Sequence, residues 1–203
     1  CWATLERDGA PLAQERGEVL FRKYGLSGIA IFNLSRIAQP GDTVALDLFP
    51  NMSRDELQSY LHERAAATRA LSGREATCQD VTRGMVLPLV AEALLKTLKL
   101  RPEDPASAQN MHRLSRVAKR FKVAVEGAGD PKQCQVHRGG FLCEAFDATT
   151  MECKQYAGLF AAGEMLDVDA PCGGYNLHWA WASGTLAGAS AAATTFKNQR
   201  KAR

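Results

Sequence analysis

A chain of 203 residues is long enough for one large domain or two small ones, and with 46% hydrophobic and 23% charged residues it can bury a core. No apolar run approaches the ~20 residues that cross a bilayer, so no membrane partner is expected. The formal net charge of +3 comes mostly from the tail residues Lys197, Arg200, Lys201 and Arg203, read as solvated; the other basic residues are interspersed with acids, so no nucleic-acid partner is expected either.

The six cysteines, Cys1, Cys78, Cys134, Cys143, Cys153 and Cys172, form no CxxC pair and have no Cys/His spacing suited to zinc. They read as reduced thiols of a cytoplasmic protein with no metal. No leader peptide opens the sequence, and Cys1-Trp2-Ala3-Thr4-Leu5 reads as a strand in mid-fold, as though the chain begins inside a domain.

In chain order, residues 2–6 alternate as a strand and meet a turn at Asp8-Gly9. Residues 17–21 and 43–49 repeat the β signal. Residues 28–35 fit a buried strand or a short helix, and periodicity does not decide between them. Ser53 with Glu56 three residues on is a capping box, followed by Leu57, Tyr60, Leu61 and Ala65 on one face of a helix of about four or five turns. A second helix is expected over 85–99 with Pro88 in its first turn, and a third over 106–119. The β signal returns over 121–126. Residues 134–137 and 141–146 flank Gly139-Gly140 like two arms of a hairpin or sharp bend. Residues 159–163 read as a short buried strand, 163–174 as a loop of glycines and acids, and about 175–196 as a final helix lined with small residues.

That last strand, loop and helix carry the chemistry. Amides at a helix start point outward with a partial positive charge of roughly half a unit, which suits phosphate or the electron-rich edge of a cofactor. Gly173 and Gly174 let backbone approach a ligand without a Cβ between them. Read without further context, the same glycines also suit a plain tight turn, and Gly184 and Gly188 plain close packing.

Six segments stand in order along the chain: Gly17-Glu18-Val19-Leu20-Phe21, Tyr24-Gly25-Leu26-Ser27-Gly28, Thr150-Met151-Glu152-Cys153-Lys154, Gly158-Leu159-Phe160-Ala161-Ala162-Gly163-Glu164-Met165-Leu166-Asp167, Gly173-Gly174-Tyr175-Asn176-Leu177 and Ala180-Trp181-Ala182-Ser183-Gly184. Together they resemble the BaiN-like family of bacterial NAD(P)/FAD-dependent oxidoreductases. The match is ordered and spans nearly the whole chain. It implies an α+β fold: a β-barrel-like insert subdomain (1–50, completed by about 114–131), a small helical insert subdomain (51–113), and the C-terminal strand–loop–helix part of a Rossmann-type FAD-binding domain (132–203).

The GxGxxG fingerprint of dinucleotide binding is absent from this sequence, and Gly127-Ala128-Gly129-Asp130-Pro131-Lys132 fails as a substitute because its third glycine is missing. An isolated chain of this kind is expected to bind FAD weakly or not at all and to be inactive by itself. In the parent enzyme, the resemblance implies FAD as cofactor, NAD(P)H as electron donor and a small organic acceptor, with an unsaturated ring compound the nearest class. It places Gly163 and Glu164 beside the ribityl chain, with Asp167 a second acceptor, and Gly173, Gly174, Tyr175, Asn176 and Leu177 at the pyrimidine end of the flavin. His137 and Arg138 could face the substrate side. Trp181 is expected in the core rather than on the flavin, and Cys172 as a plain buried thiol. The rival reading is a non-catalytic folded insert or binding module. Residues 132–203 are expected to expose apolar strand edges, leading to self-association or disorder.

Overall fold

The structure, a computed structural model, describes residues 1–129, 134 and 136–201, with side chains described as far as residue 194. It divides into two units, Cys1–Gly127 and Ala128–Arg203. The basic tail side chains and Asp130, Pro131 and Lys132 lie outside the described residues.

In the first unit β1 (Trp2–Arg7) pairs antiparallel with β2 (Ala10–Arg16). Asp8 and Gly9 both take positive φ, 51° and 80°, as a two-residue type I′ hairpin turn demands. On its other side β1 pairs with β5 (Thr43–Asp47), and β5 pairs with β6 (Phe121–Ala124), giving the order β2-β1-β5-β6. β3 (Leu20–Arg22) and β4 (Gly25–Ser27) make a separate hairpin, so residues 17–19 precede the strand rather than belong to it. The main sheet is open. Among the described residues nothing pairs β2 with β6 to close the expected barrel, and four strands are too few to enclose a core by themselves.

Residues 28–35 resolve as a helix, α1 (Ile29–Ser35), with Ala30 and Leu34 buried one turn apart. Gly28 starts it at φ 101°, where a Cβ would stand 2.6 Å from the Glu18 carbonyl oxygen, so only glycine fits. α2 (Arg54–Ser72) opens on the capping box: Glu56 N–H donates to Ser53 Oγ at 3.2 Å, and Ser53 N–H donates to the Glu56 carboxylate at 2.7 Å. α3 (Cys78–Thr82), unforeseen in the sequence, has the same device in Thr77 and Asp80. α4 (Pro88–Thr97) starts three residues later than expected, because Leu87 before the proline is held extended at ψ 146°. α5 (Ala108–Lys119) is capped by Ser107.

Sheet and helices bury a single apolar cluster, with Leu5 and Leu46 from the sheet meeting Leu57, Leu61, Leu94, Met111 and Leu114 from the helices. The charged Glu6 is also buried. Its carboxylate accepts from Arg120 at 2.6 Å, with Lys122 Nζ 3.4 Å away. The Arg120 hydrogen bond holds its pKa below the usual carboxylate range, against the opposing effect of burial.

The second unit ends in α6 (Tyr175–Lys201) and has a smaller core of Phe146, Met151, Ala161, Leu166 and Ala187. Two expectations are corrected here. Residues 159–163 are not a buried strand: Glu152 and Phe160 form one isolated bridge, Leu159 is 48% exposed, and Gly163–Met165 turns into a 3-10 helix. A strand needs a ladder, and among the described residues only this one bridge partners the segment. Of the hairpin or sharp bend expected around Gly139-Gly140, the hairpin is not found among the described residues. Phe141 bridges Leu166 instead, and Cys143–Ala145 is a 3-10 turn.

No described helix is long and apolar enough to cross a membrane.

Candidate functional site

The loop 163–174 is held to α6 by a small set of hydrogen bonds, most of them to its first two turns. Gly163, buried at φ 61°, donates its N–H to Ser183 Oγ at 2.9 Å and accepts from Trp179 Nε1 at 3.1 Å. Ser183 Oγ in turn donates to the Trp179 carbonyl at 2.6 Å. At the other end of the loop Asn176 clamps Ala170 on both sides: Ala170 N–H donates to Asn176 Oδ1 at 2.9 Å, and Asn176 Nδ2 donates to the Ala170 carbonyl at 3.1 Å. A side-chain amide thus reproduces a backbone pairing and fixes the angle at which the loop enters the helix.

Between these anchors two of the three acids face outward, while Asp169 is half-buried. Glu164 and Asp167 are exposed, and no described residue engages either carboxylate. Gly174, at φ 92°, accepts the first helical bond from His178 N–H at 2.9 Å, and a Cβ built on it would meet nothing within 4 Å. The amides of Tyr175, Asn176 and Leu177 occupy the first turn, where a helix has no carbonyl of its own to offer them. Beyond them Leu177, His178, Trp181, Ala182 and Thr185 line a shallow, largely apolar groove along the helix.

Trp181 is therefore not a core residue: it is 77% exposed, and Trp179 packs inward in its place. Cys172 is half-buried. The fully buried thiol is Cys78 in the first unit, where burial and the neighbouring Asp104 raise its pKa to about 11.

His137 and Arg138 are both exposed, and His137 Nε2 lies 3.2 Å from Cys134 Sγ. Two residues on, the chain closes against the acidic loop. Phe141 N–H donates to the Met165 carbonyl at 2.8 Å, and Asp167 N–H donates to the Phe141 carbonyl at 2.9 Å. A Cβ on Gly140 would sit 2.7 Å from Met165 O and 2.8 Å from Leu166 C. The structure thus brings the 137–141 segment beside Glu164 and Asp167. Sequence reasoning missed the anchoring roles of Ser183, Trp179 and the Asn176 side chain. A serine two turns into a helix of small residues was the available signal, because a hydroxyl among alanines on a buried stripe needs a partner. Among the described residues no group of three or more His, Cys, Asp or Glu side chains could hold a metal ion.

A mixed α/β chain with an anchored loop running into an open helix start has the parts of a Rossmann-type nucleotide-binding protein. The profile of the HI0933-like protein Rossmann domain matches residues 8–190. The chain belongs to the HI0933-like family, whose BaiN-like members are FAD-dependent oxidoreductases. It is similar to the 3-dehydro-bile acid delta(4,6)-reductase of Clostridium scindens, 33% identical over 190 residues that cover 89% of this chain and 45% of that protein. It is also similar to the ribosomal RNA dihydrouridine synthases of Escherichia coli and Haemophilus influenzae. These are 28% and 25% identical, and the matches cover 83% and 82% of this chain and 40% of each relative. The chain spans less than half the length of these curated relatives.

Proposed function

We propose that this chain is the C-terminal part of an FAD-dependent oxidoreductase that passes hydride from NAD(P)H, by way of the flavin, to an unsaturated ring compound in the cytoplasm. The observation that carries the reading is the outward-facing loop 163–174, whose exposed carboxylates and open glycine-started helix are fixed in place by bonds that use none of those groups. The residues fit part of a flavin nucleotide. Glu164 and Asp167 would accept hydrogen bonds from ribityl hydroxyls, and the amides of Tyr175, Asn176 and Leu177 would meet the pyrimidine carbonyls, where the helix dipole favours negative charge. Gly174 leaves room for a ring to approach, the Cβ side of Gly173 facing the Tyr175 ring at 3.6 Å, and His137 and Arg138 stand on the segment packed against the acidic loop. When bound, FAD supplies the hydride chemistry itself; the chain binds, orients and polarises.

The names of the relatives support the acceptor class. One reduces an unsaturated bile acid and the others make dihydrouridine, so both describe adding hydrogen to a ring. In the parent, 1–50 with 114–131 and 51–113 would be insert subdomains, and 132–203 the returning end of the flavin domain. Phe141, Leu142, Leu159, Met165, Leu177 and Trp181 are exposed in the second unit, a density of apolar surface that fits a domain completed by further polypeptide. Alone, the chain is then a module that leaves FAD unbound and self-associates through this surface.

Absorbance in the flavin bands tests this. The purified chain is expected to be colourless and to ignore added FAD. A parent extended to the relatives' length is expected to carry flavin stoichiometrically and to lose affinity for it when Glu164 and Asp167 are both replaced by alanine. A full-length parent that is folded but free of flavin would sink the proposal.

A further inference from the structure

Sequence order scatters the basic residues among acids, but the fold of the first unit sorts them. A groove beside the second half of α5 is lined by Arg54, Arg113, Arg116, Lys119 and Arg120, with no carboxylate in the lining. Leu98 and Val117 form its apolar floor. Arg113, Arg116 and Arg120 follow one another at i, i+3 and i+7, so they share one face of the helix and its end over a rise of ~10 Å. Like charges at that spacing destabilise a helix unless something anionic faces them.

The nearby acids Glu6, Asp47, Asp55 and Glu56, the last acting on Lys119, are four against five cations and leave the groove positive. Glu6 is buried and reaches Arg120 at 2.6 Å; Asp47 reaches Lys119 at 2.6 Å. Lys119 is also bonded to the Phe49 and Met52 carbonyls, so it contributes charge rather than donors. Asp55 meets Arg54 at 3.3 Å from outside the lining. Arg113 is braced by donating to the Leu98 carbonyl at 2.6 Å, and Arg116 is exposed with no carboxylate partner among the described residues. Arg54, Arg116 and Arg120 are thus exposed to solvent, with Arg113 half-buried beside them.

We propose that this groove binds the phosphate backbone of a double-helical nucleic acid. A duplex presents one phosphate charge per ~1.7 Å of axis, so a stripe of ~10 Å meets several at once. The lining contains no aromatic ring for unpaired bases to stack on, which argues for helical over single-stranded nucleic acid. Nor does it expose large apolar side chains to enter a lipid surface, since Leu98 is buried and Val117 half-buried. Contact through phosphates alone does not depend on base sequence.

The test is fluorescence anisotropy of the 203-residue chain with a labelled RNA hairpin and a DNA hairpin of equal length, from 50 to 200 mM salt. Both hairpins are expected to bind, with affinities within a few-fold of one another and a steep linear dependence of log affinity on log salt. Replacing Arg54 and Arg116, both exposed, by glutamine is expected to lower that slope by about 2 and weaken binding about tenfold or more at the lower salt. Arg22→Gln, on the separate β3–β4 hairpin, is expected to change nothing. Circular dichroism confirms that each variant is folded, and Arg116→Gln alone replaces the pair if the double variant is not. Absence of binding at 50 mM salt, a slope indifferent to Arg116, or preference for vesicles of phosphatidylserine and phosphatidylcholine over either hairpin overturns the proposal. No redox activity enters the measurement, so it stands or falls separately from the flavin.

Discussion

Replacing Ser183 by alanine tests whether the candidate site is anchored from behind. Ser183 is 2% exposed, and its hydroxyl is the acceptor for the buried Gly163 N–H at 2.9 Å. The bond that Ser183 donates to the Trp179 carbonyl matters less, because that oxygen still has its helical partner. What remains is one buried N–H with no acceptor, which costs about 1–3 kcal/mol. At the middle of that range, about 2 kcal/mol, the opening equilibrium at Gly163 rises roughly 30-fold, since each 1.36 kcal/mol is tenfold. Amide hydrogen exchange followed by NMR reads this directly. The protection of Gly163 N–H is expected to fall by that order in Ser183→Ala, with little change at Leu5 or Leu46 in the other unit. Unchanged protection at Gly163 would refute the anchoring role of the hydroxyl.

Two further predictions concern the first unit. The Glu6 carboxyl has a lowered folded pKa, so its stabilising contribution is present above the unfolded value of ~4.3 and is lost as pH falls through the lower folded value. In urea titrations Glu6→Gln is therefore expected to be less stable than the wild type at pH 7, with the gap closing progressively below about pH 4; a constant gap would contradict this. Cys78, with its pKa raised to about 11, is expected to resist a thiol reagent at pH 8 while exposed Cys134 and Cys143 react, as mass spectrometry of the labelled peptides would show.

Where a structural feature depends on neighbours in sequence, the residues disclosed it. Ser53 and Glu56 announced α2 and Asp8-Gly9 the turn that ends β1, because each acts through backbone geometry within four residues; Pro88 marked α4 but not its first residue, which the expectation set three residues too early. Where it depends on a partner distant in sequence, they did not. Residues 159–163 have the apolar content of a strand, but strand formation is a property of pairing, and here a single bridge partners them. The choice between Trp179 and Trp181 was a question of helical phase. Small residues stand on both sides of α6, at 182, 184, 187 and 188, so the buried stripe through Trp179, Ser183 and Ala187 had no polar opposite face to reveal it.

The two glycine pairs show the same division within the candidate site itself. Gly173-Gly174 stands directly before the helix that the small-residue run announces, and the structure leaves the Cβ side of Gly174 open. Gly139-Gly140 suits a hairpin or a sharp bend, and the structure gives it a further role. It is the point where the chain presses within 2.7 Å of the Met165 carbonyl and closes beside the acidic loop. A glycine pair in a sequence marks a place where backbone comes close to something. Whether that something is a ligand or the chain's own backbone follows from contacts some 25 residues away, such as those joining Phe141 to Met165 and Asp167. That is why the start of the last helix was legible in the residues, whereas the closure of the 137–141 segment on the acidic loop was not.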